Sequence, residues 1–338
     1  MTSGNLSMTE ANPSPSGELS TGQQHESDPE LGIEEVAELT ERIVENVEGV
    51  IIGKHEVIVD TVLAMLARGH VLLEDVPGTG KTMLARALAR SIDCSFNRVQ
   101  FTPDLLPADI TGSNVFNQQS REFEFRPGPI FANIVLGDEI NRAPPKTQSA
   151  LLEAMEEEQV TVDGTTYELA APFTVIATQN MVEPGRTYEL PIAEIDRFMK
   201  RLSLGYPDDG AEVEMLDRTV GTHPIDTLEP VASIPEVRGA RARVAAIDVK
   251  EPVRAYATQL VRFTREQARL GISPRGTIAL LRAAQARAAM NGRGYVIPDD
   301  IQQEAPAVMR HRLQLESDPD GTGALDLVES ALNSVTIP

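Results

Sequence analysis

The sequence predicts an α/β fold in which a parallel five-stranded sheet is covered by helices on both faces, followed by a smaller all-helical domain. Continuous apolar strands that alternate with helices are typical of a parallel sheet buried on both sides. Beyond Pro207 the strand pattern fades and helical periodicity takes over. A length of 338 residues allows about two such domains. The five predicted strands are 70–75, 97–101, 133–138, 173–178 and 201–205.

Two helices are predicted before the first strand and five after the last. Apolar residues recur at helical spacing from Ile33 to Val47, and a second helix follows at 54–68. Glycine and proline residues separate the later helices from one another. These are predicted at 209–221, 252–271, 274–291, 298–310 and 324–333.

Two further segments lie between the predicted strands and helices. An insert at about 104–131, rich in Pro and Gly, contains a candidate hairpin that pairs 114–116 with 122–125. The second segment, 222–250, is interpreted as a proline-containing connection. The expected organisation is a disordered acidic tail, an α/β core, a helix with a linker, and an all-helical domain, with bounds of 1–30, 31–207, 208–250 and 251–338.

The chain is strongly acidic, with 51 Asp and Glu residues against 30 Lys and Arg residues and a net charge of −21. Binding of nucleic acid by general electrostatics is therefore not expected, because such binding requires many Lys or Arg side chains. No Lys or Arg precedes Arg42, and the first 30 residues are mostly polar. Such a segment cannot bury enough apolar surface to fold, so we expect disorder there.

The sequence favours a cytoplasmic protein without a membrane span. No run approaches the ~18 apolar residues that a spanning helix needs, and the polar N-terminus lacks the pattern of a secretory signal. The single cysteine, Cys94, excludes an intrachain disulfide and is typical of a reducing compartment. The five histidines are scattered along the chain, and none is assigned to a metal.

The most informative segment is Asp75-Val76-Pro77-Gly78-Thr79-Gly80-Lys81-Thr82, which lies between an apolar strand and a helical run. A glycine-rich turn in this position directs backbone N–H groups and a helix N-terminus at phosphate oxygens. Lys81 would contact the β- and γ-phosphates, and Thr82 would ligate Mg²⁺. The alternative is a glycine-rich turn that binds nothing. Asp75 stands where the usual motif has Gly, which would put a carboxylate near the phosphates.

The third strand ends in Asp138 and Glu139, at the sheet edge where open α/β sheets bind ligands. Asp138 would hold Mg²⁺, usually through water, and Glu139 would polarise the attacking water. The alternative is a surface pair that begins a helix. Asn180 leaves the fourth strand and could contact both the γ-phosphate and the water, or serve only as a turn residue.

Two arginines complete the candidate site. Arg197 precedes the fifth strand and could act on the nucleotide of a neighbouring subunit; the alternative is a surface salt bridge with Glu194 or Asp196. Arg275 opens a long helix after Ser273 and Pro274. A cation at a helix N-terminus is mildly unfavourable, which favours a use such as contact with ATP bound to the same subunit. A solvated arginine is the alternative.

These residues together resemble the MoxR family of AAA+ ATPases from about Val50 to Arg312. The most specific stretches are Phe101–Gly112 and Asp138–Met155, which begins Asp-Glu-Ile-Asn-Arg-Ala-Pro-Pro. The loop Val76–Thr82 and the short motifs Ala-Thr-Gln-Asn, Asp-Arg-Phe and Ser-Pro-Arg complete the resemblance.

The resemblance implies an AAA+ core with sheet order 5-1-4-3-2, a helix-2 insert at 104–131, an all-α lid and a homo-oligomeric ring, expected to be a hexamer. It implies ATP and Mg²⁺ as ligands, with Thr82 and Asp138 on the metal. Glu139 would be the catalytic Walker B residue, Asn180 sensor 1, Arg197 the arginine finger and Arg275 sensor 2. The nucleotide-binding candidates are Ile52, Gly53, Pro77, Gly78, Thr79, Gly80, Lys81, Thr82, Met83 and Asp138.

The sequence departs from the family pattern at Asp75, at Met181, and at Arg186 and Glu189. Arg186 is therefore a rival candidate for the finger, and Arg142 and Arg201 remain open as well.

The leading functional hypothesis is a Mg²⁺-dependent ATPase that remodels protein complexes. The resemblance implies a chaperone-like role on a protein client, beside a partner that contains a von Willebrand factor A domain. A nucleic-acid-dependent motor is the first alternative, although only 4% of residues are aromatic and Trp is absent. A nucleotide-gated scaffold with little turnover is the second.

Overall fold

The computed structural model describes residues 28–180, 188–219, 224–318 and 322–338. The strands are β1 Val71–Asp75, β2 Phe96–Gln100, β3 Gly112–Asn117, β4 Glu122–Pro127, β5 Ile134–Asp138, β6 Gln159–Val162, β7 Thr165–Glu168, β8 Thr174–Asn180 and β9 Lys200–Leu202. The helices are α1 Ile33–Glu48, α2 His55–Leu66, α3 Lys81–Ser91, α4 Pro107–Thr111, α5 Pro145–Glu157, α6 Ile192–Ile195, α7 Asp209–Thr219, α8 Ile234–Ala245, α9 Glu251–Gln267, α10 Pro274–Met290, α11 Pro298–Met309 and α12 Gly323–Ser334.

The central sheet has the order β2-β5-β8-β1-β9, with all neighbours parallel. Counted along the five core strands, this is the predicted order 5-1-4-3-2. Successive residues of β5 face opposite sides, so Ile134 and Leu136 join one core cluster while Val135 joins the other. The first cluster includes α1, α2 and α3, and the second includes α5. The prediction of a parallel sheet with helices on both faces is confirmed.

The predicted insert contains α4 and the hairpin β3–β4, in which Asn114 pairs with Phe125 and Phe116 with Phe123. A second hairpin, β6–β7, was not predicted. The hairpins are joined where the ring of Phe125 stacks on that of Tyr167, with centroids 3.9 Å apart. The insert is therefore packed against the segment that follows α5.

The interpretation of 222–250 as a proline-containing connection between helices is wrong, because the helix α8 occupies 12 of these residues. Its N-terminus is capped by Ser233. The Oγ of Ser233 accepts from the N–H of Glu236 and donates to the Glu236 carboxylate, as part of a capping box. Pro235 lies in the first helical turn, where proline is tolerated. In this segment the proline marks the beginning of a helix.

The first residues that the structure describes lie against α8. Asp28 accepts a hydrogen bond of 2.7 Å from Nε of Arg238, and a side chain at Gly239 would meet the carbonyl of Pro29 at 2.3 Å. Asp28 and Pro29, predicted as part of the tail, therefore contact α8. The rest of the predicted tail, 1–27, lies outside the described residues.

The C-terminal helices share their core with the α/β part. The cluster that contains β1 and α3 also contains apolar residues of α9, α10 and α11. Lys200 of β9 is fully buried and lies between Asp60 of α2 and Glu304 of α11, at 2.7 and 2.5 Å. The domain division at 250 stays a prediction, because this contact surface is continuous. No described helix has the length and apolar character required to cross a bilayer.

Candidate functional site: a phosphate loop and an arginine cleft

The loop between β1 and α3 has the backbone of a phosphate-binding turn. Gly78 and Gly80 have φ values of 86° and 92°, a region that favours glycine. Lys81 begins α3, is 8% exposed, and its Nζ donates to the carbonyl of Val76 at 2.6 Å. Burial lowers the pKa of Lys81, although three nearby carboxylates oppose this shift. Thr82 follows on the first turn of α3.

The carboxylate of Asp75 is hydrogen-bonded at the beginning of the loop. It is 6% exposed, and its two oxygens accept from the N–H groups of Val76 and Gly205, at 2.9 and 2.7 Å. Gly205 follows β9, the edge strand beside β1. Asp75 therefore ties the beginning of the loop to the neighbouring segment.

Asp138, the last residue of β5, and Glu139, which follows it, lie at the same sheet edge as the loop. Oδ1 of Asp138 accepts from Thr178 at 2.7 Å, and Oδ2 accepts from Arg98 at 3.1 and 2.6 Å. Glu139 has a φ of 57°, which is uncommon for a residue other than glycine and costs energy. Its carboxylate accepts from Gln100 at 3.0 Å.

Two further contacts fix the position of Glu139. Its N–H donates to Oγ1 of Thr178 at 2.8 Å, and its carboxylate pairs with Arg142 at 2.7 Å. Thr178 therefore bridges both acids from the buried strand β8. Arg98, Gln100 and Thr178 were not predicted as site residues. The available signal was that all three are polar residues on strands next to β5.

A pocket of about 460 Å³ opens beside the loop. Of the predicted nucleotide-binding residues, it is lined by Ile52, Gly78, Thr79, Gly80 and Met83. Gly53 packs against α7, since an added Cβ would lie 2.8 Å from that of Ala211. Pro77 is exposed on the loop.

Several residues of this pocket were not predicted. Its apolar and polar walls also include Lys54, Tyr206, Pro207, Glu212 and Met215. Nζ of Lys54 donates to the carbonyl of Tyr206 at 2.8 Å, and the Tyr206 side chain is 72% exposed. The pocket is thus built from α7 and the segment after β9 as well as from the loop.

Asn180 ends β8 and is paired in register with Asp75, so its backbone lies beside the beginning of the loop. Its side chain, like the whole of Met181 and Arg186, lies outside the described residues. The other rivals for the finger have partners in the same subunit. Arg142 pairs with Glu139, and Arg201 pairs with Glu74.

Arg197 and Arg275 lie at the amino ends of the parallel strands, the edge of the sheet opposite the phosphate loop. Lys200, three residues after Arg197, pairs with Val71 at the beginning of β1, whereas the phosphate loop follows the end of that strand. At a strand rise of about 3.3 Å per residue, roughly 13 Å of sheet separates the two edges. Arg275 shares the carboxylate of Glu156 with Arg197. The expectation that Arg275 contacts ATP of its own subunit is therefore wrong.

Both arginines line a cleft of about 650 Å³. Its other basic residues are Arg68, Arg282 and Arg312. Arg312 is 3% exposed and pairs with Asp196 at 2.7 Å, and burial lowers its pKa to about 10. The alternative salt bridge of Arg197 with Glu194 or Asp196 is not seen among the described residues, because Glu156 takes that place at 3.5 Å.

Comparisons with known proteins agree with this geometry. Residues 70–200 match the ATPase family associated with various cellular activities, and residues 262–330 match an AAA lid domain. The YeaC protein of Bacillus subtilis is 49% identical over 90% of this chain and 97% of its own. The chaperone MoxR1 of Mycobacterium tuberculosis is 36% identical over 95% of this chain and 89% of its own.

Solved structures show the same fold. A crystal structure of a protein assigned as an ATPase, from Cytophaga hutchinsonii, superimposes with a TM-score of 0.83 at 36% identity, covering 90% of this chain and 97% of that one. A full-length MCM homologue from Methanopyrus kandleri has a TM-score of 0.58 at 20% identity, covering 85% of this chain and 64% of that one, and shares the fold alone. With its AAA core, its helical lid and relatives of this similarity, the chain belongs to the MoxR family of AAA+ ATPases.

Proposed function

We propose that this protein is a ring-forming, Mg²⁺-dependent ATPase that hydrolyses ATP between adjacent subunits and uses the cycle to remodel protein complexes. The observation that carries the proposal is the separation of the phosphate loop and the pair Arg197 and Arg275, which lie at opposite edges of one sheet. One subunit cannot bring both to the same phosphate. Two subunits, arranged head to tail, can.

The residues beside the loop suit ATP and Mg²⁺. The loop backbone, with positive φ values at Gly78 and Gly80, and the N-terminus of α3 supply N–H groups for phosphate oxygens. Lys81 would exchange the carbonyl of Val76 for the β- and γ-phosphates, and the pocket lined by Ile52 and Met83 would take the base. Thr82 and Asp138 offer the oxygen ligands that Mg²⁺ prefers. When bound, the metal would neutralise charge that develops on the phosphates.

Glu139 is proposed to orient and polarise the attacking water. Its backbone is held by Thr178, and its carboxylate is shared by Gln100 and Arg142. These contacts hold a residue with a φ of 57° in one orientation. Asn180 is proposed as the second polar group near the γ-phosphate and water, on the grounds that its backbone adjoins Asp75.

Arg197 and Arg275 are proposed to stabilise negative charge on the ATP of the neighbouring subunit. An arginine supplied in trans raises phosphoryl-transfer rates by a factor of about 10³–10⁵ in other NTPases. Arg197 belongs to the core and Arg275 to the lid, so a neighbour's ATP would contact both parts of this subunit at once. Such contacts give a physical route for reporting hydrolysis around the ring.

The biological role rests on the family. One relative is named a chaperone, and we propose a chaperone-like action of this chain on a protein client in the cytoplasm. The resemblance to the MoxR family also supports a hexamer and a partner with a von Willebrand factor A domain. The hairpin β3–β4, with Phe116 and Phe123 exposed to 50% and 72%, is the proposed point of contact with the client.

The test is the steady-state ATPase rate per subunit against protein concentration for the wild type, Glu139→Gln and Arg197→Ala. We expect the rate per subunit of the wild type to rise with protein concentration. The rates of both variants should be lower than that of the wild type by at least about 10²-fold. Full activity in Arg197→Ala would refute the trans-arginine assignment. Tight ATP binding by the wild type without turnover at any concentration would favour the scaffold instead, and stimulation by DNA would favour a nucleic-acid motor.

A further inference from the structure

The carboxylate of Glu156, at the end of α5, lies between the two arginines of the cleft. Its Oε2 is 3.5 Å from Arg197, and its Oε1 accepts a hydrogen bond from Arg275. Glu156 thus connects an arginine of the core to one at the beginning of the lid helix α10. All three side chains are partly open to solvent, with exposed fractions of 37% for Glu156, 28% for Arg197 and 47% for Arg275.

The neighbouring acid of the cleft has a different task. Asp196 pairs with the buried Arg312 at 2.7 Å and accepts from Ser273 at 2.8 Å. The nearer oxygen of Asp196 to Arg275 is 3.9 Å away, so this contact is weak. Asp196 therefore holds the lid against the core, while Glu156 is the acid that pairs with both Arg197 and Arg275.

A guanidinium group binds carboxylates and phosphates through the same fork of donors. We propose that Glu156 occupies the position which the γ-phosphate of the neighbouring subunit takes in the ring, and that this phosphate must displace it. The inference rests on the proposed function, since it requires Arg197 and Arg275 to act in trans. Glu156 would then be an internal competitor that pairs with both arginines until a neighbour presents ATP.

The consequence is a weaker ATP-dependent interface than the two arginines could form alone. Removing the charge of Glu156 removes both the competing ion pairs and the repulsion between its carboxylate and the incoming phosphate. Partly exposed ion pairs contribute little individually. Two of them together should change the association equilibrium by a factor of about 3 to 10.

The experiment is sedimentation velocity with ATP and Mg²⁺, in a Glu139→Gln background that binds ATP without hydrolysing it. The quantity measured is the protein concentration at half-maximal assembly. Glu156→Gln should lower this concentration by about 3- to 10-fold. The matched control is Glu153→Gln, which makes the same change of charge on the same helix at an exposed residue that forms no ion pair in the described part of the chain. This control should leave the concentration unchanged.

A second measurement separates competition from a general effect on the fold. Binding of a fluorescent ADP to the dilute protein should be equal in Glu156→Gln and its parent, because Glu156 is remote from the phosphate loop. Raising the salt concentration should reduce the difference in assembly between them, since exposed charges are screened. An unchanged or increased half-assembly concentration in Glu156→Gln would overturn the inference. Wild-type protein that neither assembles nor hydrolyses with ATP would instead overturn the proposed function on which it rests.

Discussion

We expect the conservative substitution Glu304→Gln to lower the free energy of unfolding, because it breaks a buried cluster of ion pairs between the core and the lid. Four side chains form the cluster, and each comes from a different element: Asp60 from α2, Lys200 from β9, Arg287 from α10 and Glu304 from α11. Burial disfavours the charged form of Arg287, but Glu304 and Asp60 outweigh it, so its pKa lies above the ordinary value. The cluster carries two positive and two negative charges.

The magnitude follows from the burial of the pair that is broken. The side chains of Lys200 and Glu304 are both 0% exposed and their charged atoms are 2.5 Å apart. Glu304→Gln keeps the shape but leaves two buried cations with the single carboxylate of Asp60. Breaking a buried pair in this way costs about 3–5 kcal/mol of unfolding free energy. The double variant Lys200→Met with Glu304→Leu removes one charge of each sign, and should be more stable than Glu304→Gln alone.

The assay is urea unfolding followed by far-ultraviolet circular dichroism, because the chain has no Trp. The midpoint and slope give the free energy of unfolding for each variant. The matched control is Glu329→Gln on α12, an exposed acid of the same domain. A loss below about 1 kcal/mol for Glu304→Gln, the level of a surface pair, would refute the reasoning. A double variant less stable than Glu304→Gln would do the same.

Three further predictions concern named contacts. Burial lowers the pKa of His70 to about 4. The contribution of neutral His70 to stability is therefore present above about pH 6.5 and is lost as the pH falls towards 4, by up to about 3 kcal/mol. The free energy of unfolding in urea should depend less steeply on pH in His70→Gln than in the wild type, and an equal dependence on pH would contradict the prediction. Thr178→Val removes the hydroxyl that bridges Asp138 and the Glu139 N–H, and should lower ATP turnover about 10- to 100-fold while ADP binding persists; unchanged turnover would exclude this bridging role. Asp75→Ala leaves two N–H groups unpaired, at about 1–3 kcal/mol each if they stay buried; a melting temperature equal to the wild type would show that Asp75 is dispensable.

The sequence by itself determined the features that depend on neighbouring residues along the chain. The central strands β1, β5 and β8 are largely apolar, and the phosphate loop needs glycine at the two positions with positive φ, so these features could be read from local pattern. Glu139 and Asp138 follow from the end of β5 in the same way. The helix α8 also had a local signal, the capping box of Ser233 and Glu236, which the prolines of this segment obscured.

Only the tertiary structure decided which residues meet across the sheet. Arg98 and Thr178 contact Asp138 because β2 and β8 flank β5, a fact of strand order and register rather than of sequence distance. The same holds for Arg275, whose helix begins in the lid but lies with Arg197 at the edge opposite the phosphate loop. A hydrogen-bond partner is chosen by proximity in the fold, so residue type alone could name these side chains as candidates but not assign their contacts.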